Sequence, residues 1–158
     1  MLSLNIQSLS SKYEHLKIFI QNLTASHVPV DVILLQETWE IRYPLLFNIP
    51  GFQNIIYRTR AGMRGGGVGV YVRNGLSFKE RTDLENYKLK TFENIVLEIL
   101  YPNTSMIISN IYRSPNPPPN ITVAEHLDIF LDTLDTHLAR ISNLDKKSYV
   151  FTDSNIIF

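Results

Sequence analysis

The sequence predicts an α/β fold, and three observations carry that prediction. The first 36 residues read as strand, helix, strand; the middle reads as paired strands joined by turn residues; a capped helix then leads into a last strand. Leu2, Leu4 and Ile6 alternate with polar residues, the period of a half-buried strand. Ser11 and Glu14 have capping-box spacing, and Leu16, Phe19, Ile20 and Leu23 follow at helical intervals, predicting a helix of about three turns. Pro29 closes that connection. Residues 30–36 are almost continuously apolar, as in a strand covered on both faces.

Further on, residues 55–58 and 68–72 are β-rich and flank a loop with Gly62 and the triplet Gly65-Gly66-Gly67, which predicts a hairpin. Residues 95–100 and 106–112 make a second pair around the turn Pro102-Asn103-Thr104-Ser105. Pro115 and the run Pro117 to Pro119 end that strand in an extended loop. Thr122 and Glu125 form another capping box, and Leu127, Phe130, Leu131, Leu134, Leu138 and Ile141 mark the expected buried face of the helix behind it. Residues 148–152 read as a final strand, expected inside its sheet because a helix precedes it in the βαβ manner.

A chain of 158 residues fits one domain and can bury a sizeable core. Its 44% hydrophobic and 19% charged residues argue for a folded chain. The absence of cysteine excludes a disulfide framework, a thiolate metal site and a cysteine nucleophile. Fifteen Lys and Arg balance fifteen Asp and Glu, so any nucleic-acid binding must come from a local patch and not from net charge. No basic, apolar leader opens the sequence, and the longest apolar run is far too short to span a bilayer. Asn22, Asn103 and Asn120 open N-x-Ser/Thr triplets that have no secretory context. The expectation is an intracellular chain without a membrane partner.

Polar groups capable of chemistry fall where strands end, the usual place for sites in α/β sheets. They are Asn5, Glu37, Tyr112, and Asp153 with Asn155. Carboxylate and amide oxygens suit a hard cation such as Mg²⁺. A tyrosine hydroxyl and the neighbouring Arg113 suit a phosphate, so the set fits metal-assisted phosphoester hydrolysis. Each residue also has a plain structural reading: a solvated carboxylate, a turn former, a half-buried aromatic, chain-end polar groups. The glycine triplet matches no nucleotide-binding fingerprint and serves a tight loop beside a strand. Arg58, Arg60, Arg64 and Arg73 around it form either a DNA-backbone contact or a solvated basic edge. His15, His27, His126 and His137 lack metal-ligand spacing and receive no catalytic role.

Five segments in order carry a resemblance. Asn5-Ile6-Gln7-Ser8-Leu9 and Leu34-Leu35-Gln36-Glu37-Thr38-Trp39 resemble the endonuclease/exonuclease/phosphatase superfamily, which includes pancreatic deoxyribonuclease and abasic-site nucleases. Gly65-Gly66-Gly67-Val68-Gly69-Val70-Tyr71-Val72-Arg73, Asn110-Ile111-Tyr112-Arg113-Ser114-Pro115 and Phe151-Thr152-Asp153-Ser154-Asn155 are similar to the endonuclease domain of LINE-type (non-LTR) retrotransposons. The resemblance implies a deoxyribonuclease-like two-sheet α/β sandwich, a Mg²⁺ cofactor (or Mn²⁺), and DNA as substrate. It implies Glu37 and Asn5 at the metal, and Tyr112, Asp153 and Asn155 as catalytic residues at the phosphate and the attacking water. Arg113 and Arg64 are the implied phosphate contacts. Cleavage leaving a 3′-hydroxyl, a reverse transcriptase portion of the same polyprotein as partner, and a nuclear site of action follow from the same likeness.

The sequence also departs from the family pattern. Thr152 and Ser154 replace a glycine and a phenylalanine of the last motif, and Gln7 is not acidic. The later Asp and the terminal Asp–His pair of the family are not among these residues, so residues 1–158 are expected to form a single, incomplete domain. Roughly one sheet with its helices is expected, its uncovered apolar face inviting self-association. Two other readings stay open: an inactive truncated fragment that binds DNA or protein, and a different phosphoesterase of the same superfamily.

Overall fold

The computed structural model describes residues 1–156, and these form two compact units, the first Met1–Leu76 and the second from Ser77 onward. Each unit is built on its own mixed sheet, where sequence pattern alone predicts roughly one sheet in all. Among the described residues no helix is long and apolar enough to cross a membrane.

In the first unit β1 (Leu2–Asn5), α1 (Leu9–Ala25) and β2 (Val32–Gln36) make the expected βαβ opening, with β1 parallel to β2. The helix starts earlier than its apparent capping box. Ser8, not Ser11, is the N-cap, and its hydroxyl accepts from the Ser11 amide at 3.4 Å. The reason is tertiary. The amides of Ile6, Ser8 and Leu9 donate to the carbonyls of Gln36, Glu37 and Thr38 at 2.8–2.9 Å, so amides at the entrance of the helix are satisfied by the segment leaving β2. Leu16 and Ile20 are buried as predicted, whereas Phe19 is 42% exposed.

The strand β4 (Val68–Val72) pairs antiparallel with β2 and with β3 (Ile56–Arg58), giving the order β1-β2-β4-β3. Register sorts the side chains by face. Ile33, Leu35 and Tyr71 enter one core cluster with Leu9, Leu16 and Ile20 of α1. Val32, Leu34, Val68, Val70 and Val72 point the other way and are buried as well, each no more than 2% exposed.

In the second unit β7 (Phe92–Tyr101) and β8 (Thr104–Tyr112) form a long hairpin, and β9 (Lys147–Asp153) joins β8 in parallel after α2 (Val123–Ser142). Two short strands absent from the sequence reading, β5 (Ser77–Glu80) and β6 (Tyr87–Lys88), both pair with β7. Their four and two residues are too few to show a period. The order β5-β7-β8-β9 places β9 at an end of the described sheet and not inside it.

The capping box of α2 is present in full: the Thr122 hydroxyl accepts from the Glu125 amide, and the Glu125 carboxylate accepts from Thr122. Its buried face is not the predicted leucine stripe. Phe130 and Ile141 are buried, but so are His126, Thr133 and His137, while Leu131 and Leu138 are 45% and 42% exposed. The buried set recurs at the same helical interval, rotated about one residue from the leucines. The polar members are tolerated because they find partners: His137 Nε2 meets the Ser109 hydroxyl at 2.8 Å, and Thr133 accepts from Lys88 at 2.8 Å.

Candidate functional site

Each unit places its candidate residues at strand ends. In the first unit Asn5 and Gln36 are register partners in the parallel pair β1–β2, and Glu37 is the next residue. The turn is tight: Gln7, Ser8, Glu37 and Trp39 all have positive φ, between 47° and 86°. Such geometry costs non-glycine residues of order 1–3 kcal/mol each and persists only where surrounding bonds fix it. Here the cross-bonds from Ile6, Ser8 and Leu9 do so, and Trp39 adds a bond from its amide to the Gly66 carbonyl at 2.8 Å. The result aims Glu37 at Asn5, whose Nδ2 donates to Glu37 Oε1 at 3.1 Å. Asn5 Oδ1 accepts from the Gln7 amide at 3.2 Å, which fixes which end of the amide faces the carboxylate.

The glycine loop is shaped by what it encloses. Arg60 is 4% exposed, and a Cβ on Gly66 would lie 2.2 Å from its guanidinium carbon. Of the four arginines expected around this hairpin, Arg60 thus lies inside the loop. Arg73 donates to the Val30 carbonyl and pairs with Asp31 at 3.0 Å. Arg58 donates to the Tyr57 carbonyl at 3.1 Å. Arg64 is exposed and stacks on Trp39, its guanidinium carbon 4.8 Å from the ring centre. Of the four it is exposed as a whole residue, Arg58 and Arg73 being half-buried and Arg60 buried.

In the second unit the register lines up Glu93, Tyr112 and Asp153 on one rung across β7, β8 and β9. Side chains opposite one another on adjacent strands share a face, so two carboxylates flank the tyrosine. Helix α2 packs on the other face, through Ile141 against Val96 and Ile107 and through Phe130 against Phe92 and Ile111. Glu93 is not among the residues that strand ends point to, yet its sequence context carries a signal: in the run Glu93, Ile95, Leu97, Ile99 it is the charged member of an otherwise apolar face, and it is 1% exposed. It accepts from the Lys90 amide at 3.1 Å.

Arg113 departs from its expected role as a phosphate contact. It is 3% exposed and directed inward, Nη1 donating to the carbonyls of Ser154 at 3.0 Å and Asn155 at 3.3 Å, Nη2 to His126 Nδ1 at 3.1 Å. Burial lowers its pKa from the usual arginine range. Asn155, at φ 49°, donates its Nδ2 to the Arg113 carbonyl at 2.7 Å. The segment after β9 is thereby held against the end of β8.

The donor chemistry fits a hard divalent cation. Among the described residues no group of three or more His, Asp or Glu is gathered for a metal; the Glu37 carboxylate, held by the Asn5 amide, is a candidate donor that could hold one. One carboxylate with several retained waters is the manner in which Mg²⁺ is commonly held.

The profile of the Endonuclease/Exonuclease/phosphatase family matches residues 2–144. No curated protein matches the chain in sequence. Among solved structures, the endonuclease domain of TRAS1, a telomere-specific non-LTR retrotransposon, is similar at 16% identity and TM-score 0.63, over 99% of this chain and 58% of that one. The catalytic domain of Xenopus laevis APE2 is similar at 17% identity and TM-score 0.65, over 98% and 57%. TDP2 of D. rerio, complexed with a single-strand DNA product, is similar at 13% identity and TM-score 0.60, over 99% and 60%. These likenesses establish the fold. The chain spans less than two thirds of the length of each of the three.

Proposed function

The chain belongs to the endonuclease/exonuclease/phosphatase family, and from that premise we propose that it acts as a Mg²⁺-dependent endonuclease that hydrolyses phosphodiester bonds in DNA to leave a 3′-hydroxyl. The observation that carries the reading is the Asn5–Glu37 pair, a carboxylate held at 3.1 Å by an amide whose own orientation is fixed by Gln7. In this reading Glu37 holds the metal and Asn5 steadies it; Mn²⁺ would be accepted by the same oxygens. A bound divalent ion polarises a phosphoryl oxygen and stabilises developing negative charge. Tyr112 contributes a phenolic O–H to a phosphate oxygen, Asp153 takes the proton of the attacking water, and Asn155 keeps the segment after β9 in place. Arg64 on Trp39 is the backbone contact, its hydrophobic platform limiting the freedom of an otherwise mobile cation.

The biological setting proposed is target nicking by a non-LTR retrotransposon, in the nucleus, with the new 3′-hydroxyl priming the reverse transcriptase portion of the same polyprotein. The likeness to the TRAS1 domain supports it. The test is nicking of supercoiled plasmid with Mg²⁺. We expect nicking that EDTA abolishes and that Glu37→Ala lowers by about 100-fold or more. Nicking unchanged by either treatment, or none from folded protein, overturns the reading; the latter outcome leaves a DNA- or protein-binding chain.

A further inference from the structure

We propose that His126, on the first turn of α2, is a positioning residue for the segment that bears Asp153 and Asn155, acting through the buried guanidinium of Arg113. The catalytic consequence rests on the nuclease reading above; the geometry does not. Four bonds tie residues 153–155 to Arg113: its amide donates to the Asp153 carbonyl at 2.9 Å, Nη1 donates to the Ser154 and Asn155 carbonyls, and its own carbonyl accepts from Asn155 Nδ2. The two from Nη1 depend on where the guanidinium lies, and the two backbone bonds hold the same segment beside it. Phe130 meets it face-on at 5.7 Å, and His126 Nδ1 takes Nη2. Among the described residues no carboxylate pairs with it: carbonyls and one imidazole nitrogen take its two terminal nitrogens, while the buried Nε has no hydrogen-bond partner.

The chemistry admits one state of the ring. Arginine only donates, so Nδ1 must be the bare nitrogen and Nε2 must carry the hydrogen. That hydrogen meets the Lys90 carbonyl at 3.3 Å, which also accepts from the Ser114 amide at 2.8 Å. A protonated ring would set N–H against N–H and cation against cation. Burial, and then Arg113, accordingly hold the His126 pKa below the usual histidine range. Just after β8 the charged group facing the ring is Arg113; the loop before β7 offers the Lys90 carbonyl; on α2 the adjacent Glu125 is turned back onto Thr122.

Two variants separate positioning from bulk stability. His126→Asn keeps an acceptor oxygen near the place of Nδ1 but cannot titrate; His126→Leu removes the acceptor. The readout is hydrogen-exchange protection of the Asn155 side-chain amide and the Arg113 guanidinium by NMR, from about pH 5 to about pH 8, with plasmid nicking alongside. We expect protection in the wild type that falls on acidification, protection in the Asn variant that does not, and at least a tenfold loss in the Leu variant at every pH. Protection unchanged in His126→Leu, or an acid response that persists in His126→Asn, overturns the proposal. If the Leu variant fails to fold, the acid response of the Asn variant decides alone. Lower kcat at constant KM in His126→Leu, restored in His126→Asn, joins the segment to catalysis. A segment that responds as stated while no form nicks DNA upholds the positioning and refutes the nuclease reading.

Discussion

A methyl group at position 67 would lie 2.7 Å from the Thr38 hydroxyl and 3.1 Å from the Arg58 carbonyl, with φ at +83°. At Gly75 φ is +88°, yet a Cβ would meet nothing within 4 Å. The two glycines share the left-handed backbone cost and differ in the collision, so their alanine variants form a controlled pair. Gly67→Ala should lose about 1–3 kcal/mol more than Gly75→Ala in urea unfolding, the range for overpacking. Equal losses would mean that the loop gives way freely. At this scale the sequence disclosed Asn5, Glu37, Tyr112 and Asp153 through their places at strand ends, because side-chain chemistry and strand boundaries are both local. It did not disclose the buried Arg60 or Arg113. Reading a cation outward rests on the cost of burying charge, and what offsets that cost here, a glycine loop in one unit and distant carbonyls in the other, is spread over up to 42 residues of chain.

At the scale of the element, α2 shows how a correct helix can present an unpredicted face. Its start was legible in Thr122 and Glu125, and Thr122→Ala should cost about 1 kcal/mol in thermal unfolding. Its orientation was not, because four leucines outweigh two histidines in any hydrophobic count, whereas the histidines have specific partners across the unit. His137 is fully buried, 5.6 Å ring to ring from Phe92, and burial pulls its pKa down to about 4. Its folded value lies below the unfolded one of about 6.5, so the unfolded chain binds the extra proton first. The stabilising contribution is therefore complete above about pH 6.5 and is lost as pH falls toward about 4, up to about 3 kcal/mol in all. Chemical denaturation across that window should show the slope, and His137→Gln should flatten it; an identical slope in the variant would place the acid sensitivity elsewhere. Helix α1 makes the complementary point: its capping box was plausible locally, but bonds from the segment after β2 moved its start to Ser8.

For the molecule as a whole, the strand pairs were legible and their division between two sheets was not, since period and turn signals say which residues are extended but not which strands share a ladder. Association is tested at the same scale: self-association through an apolar sheet face should make the 18.2 kDa chain sediment as a dimer or larger species at micromolar concentration, and a monomer would refute it. The two ladders that meet at β8 also differ in how far along the chain they must reach. β7 and β8 close over Pro102 and Asn103, while β9 finds β8 only after the chain has passed through all of α2. Contacts between near neighbours in sequence form at little entropic expense, and those across tens of residues form late. The hairpin is then the natural nucleus, and Asp153 takes its place beside Tyr112 only as the unit completes. Substitutions in the hairpin should slow refolding, whereas those in β9 should mainly hasten unfolding. A chain caught before that last docking would carry its tyrosine in position and its aspartate adrift, so maturation of the rung, not its composition, sets when the second unit becomes competent.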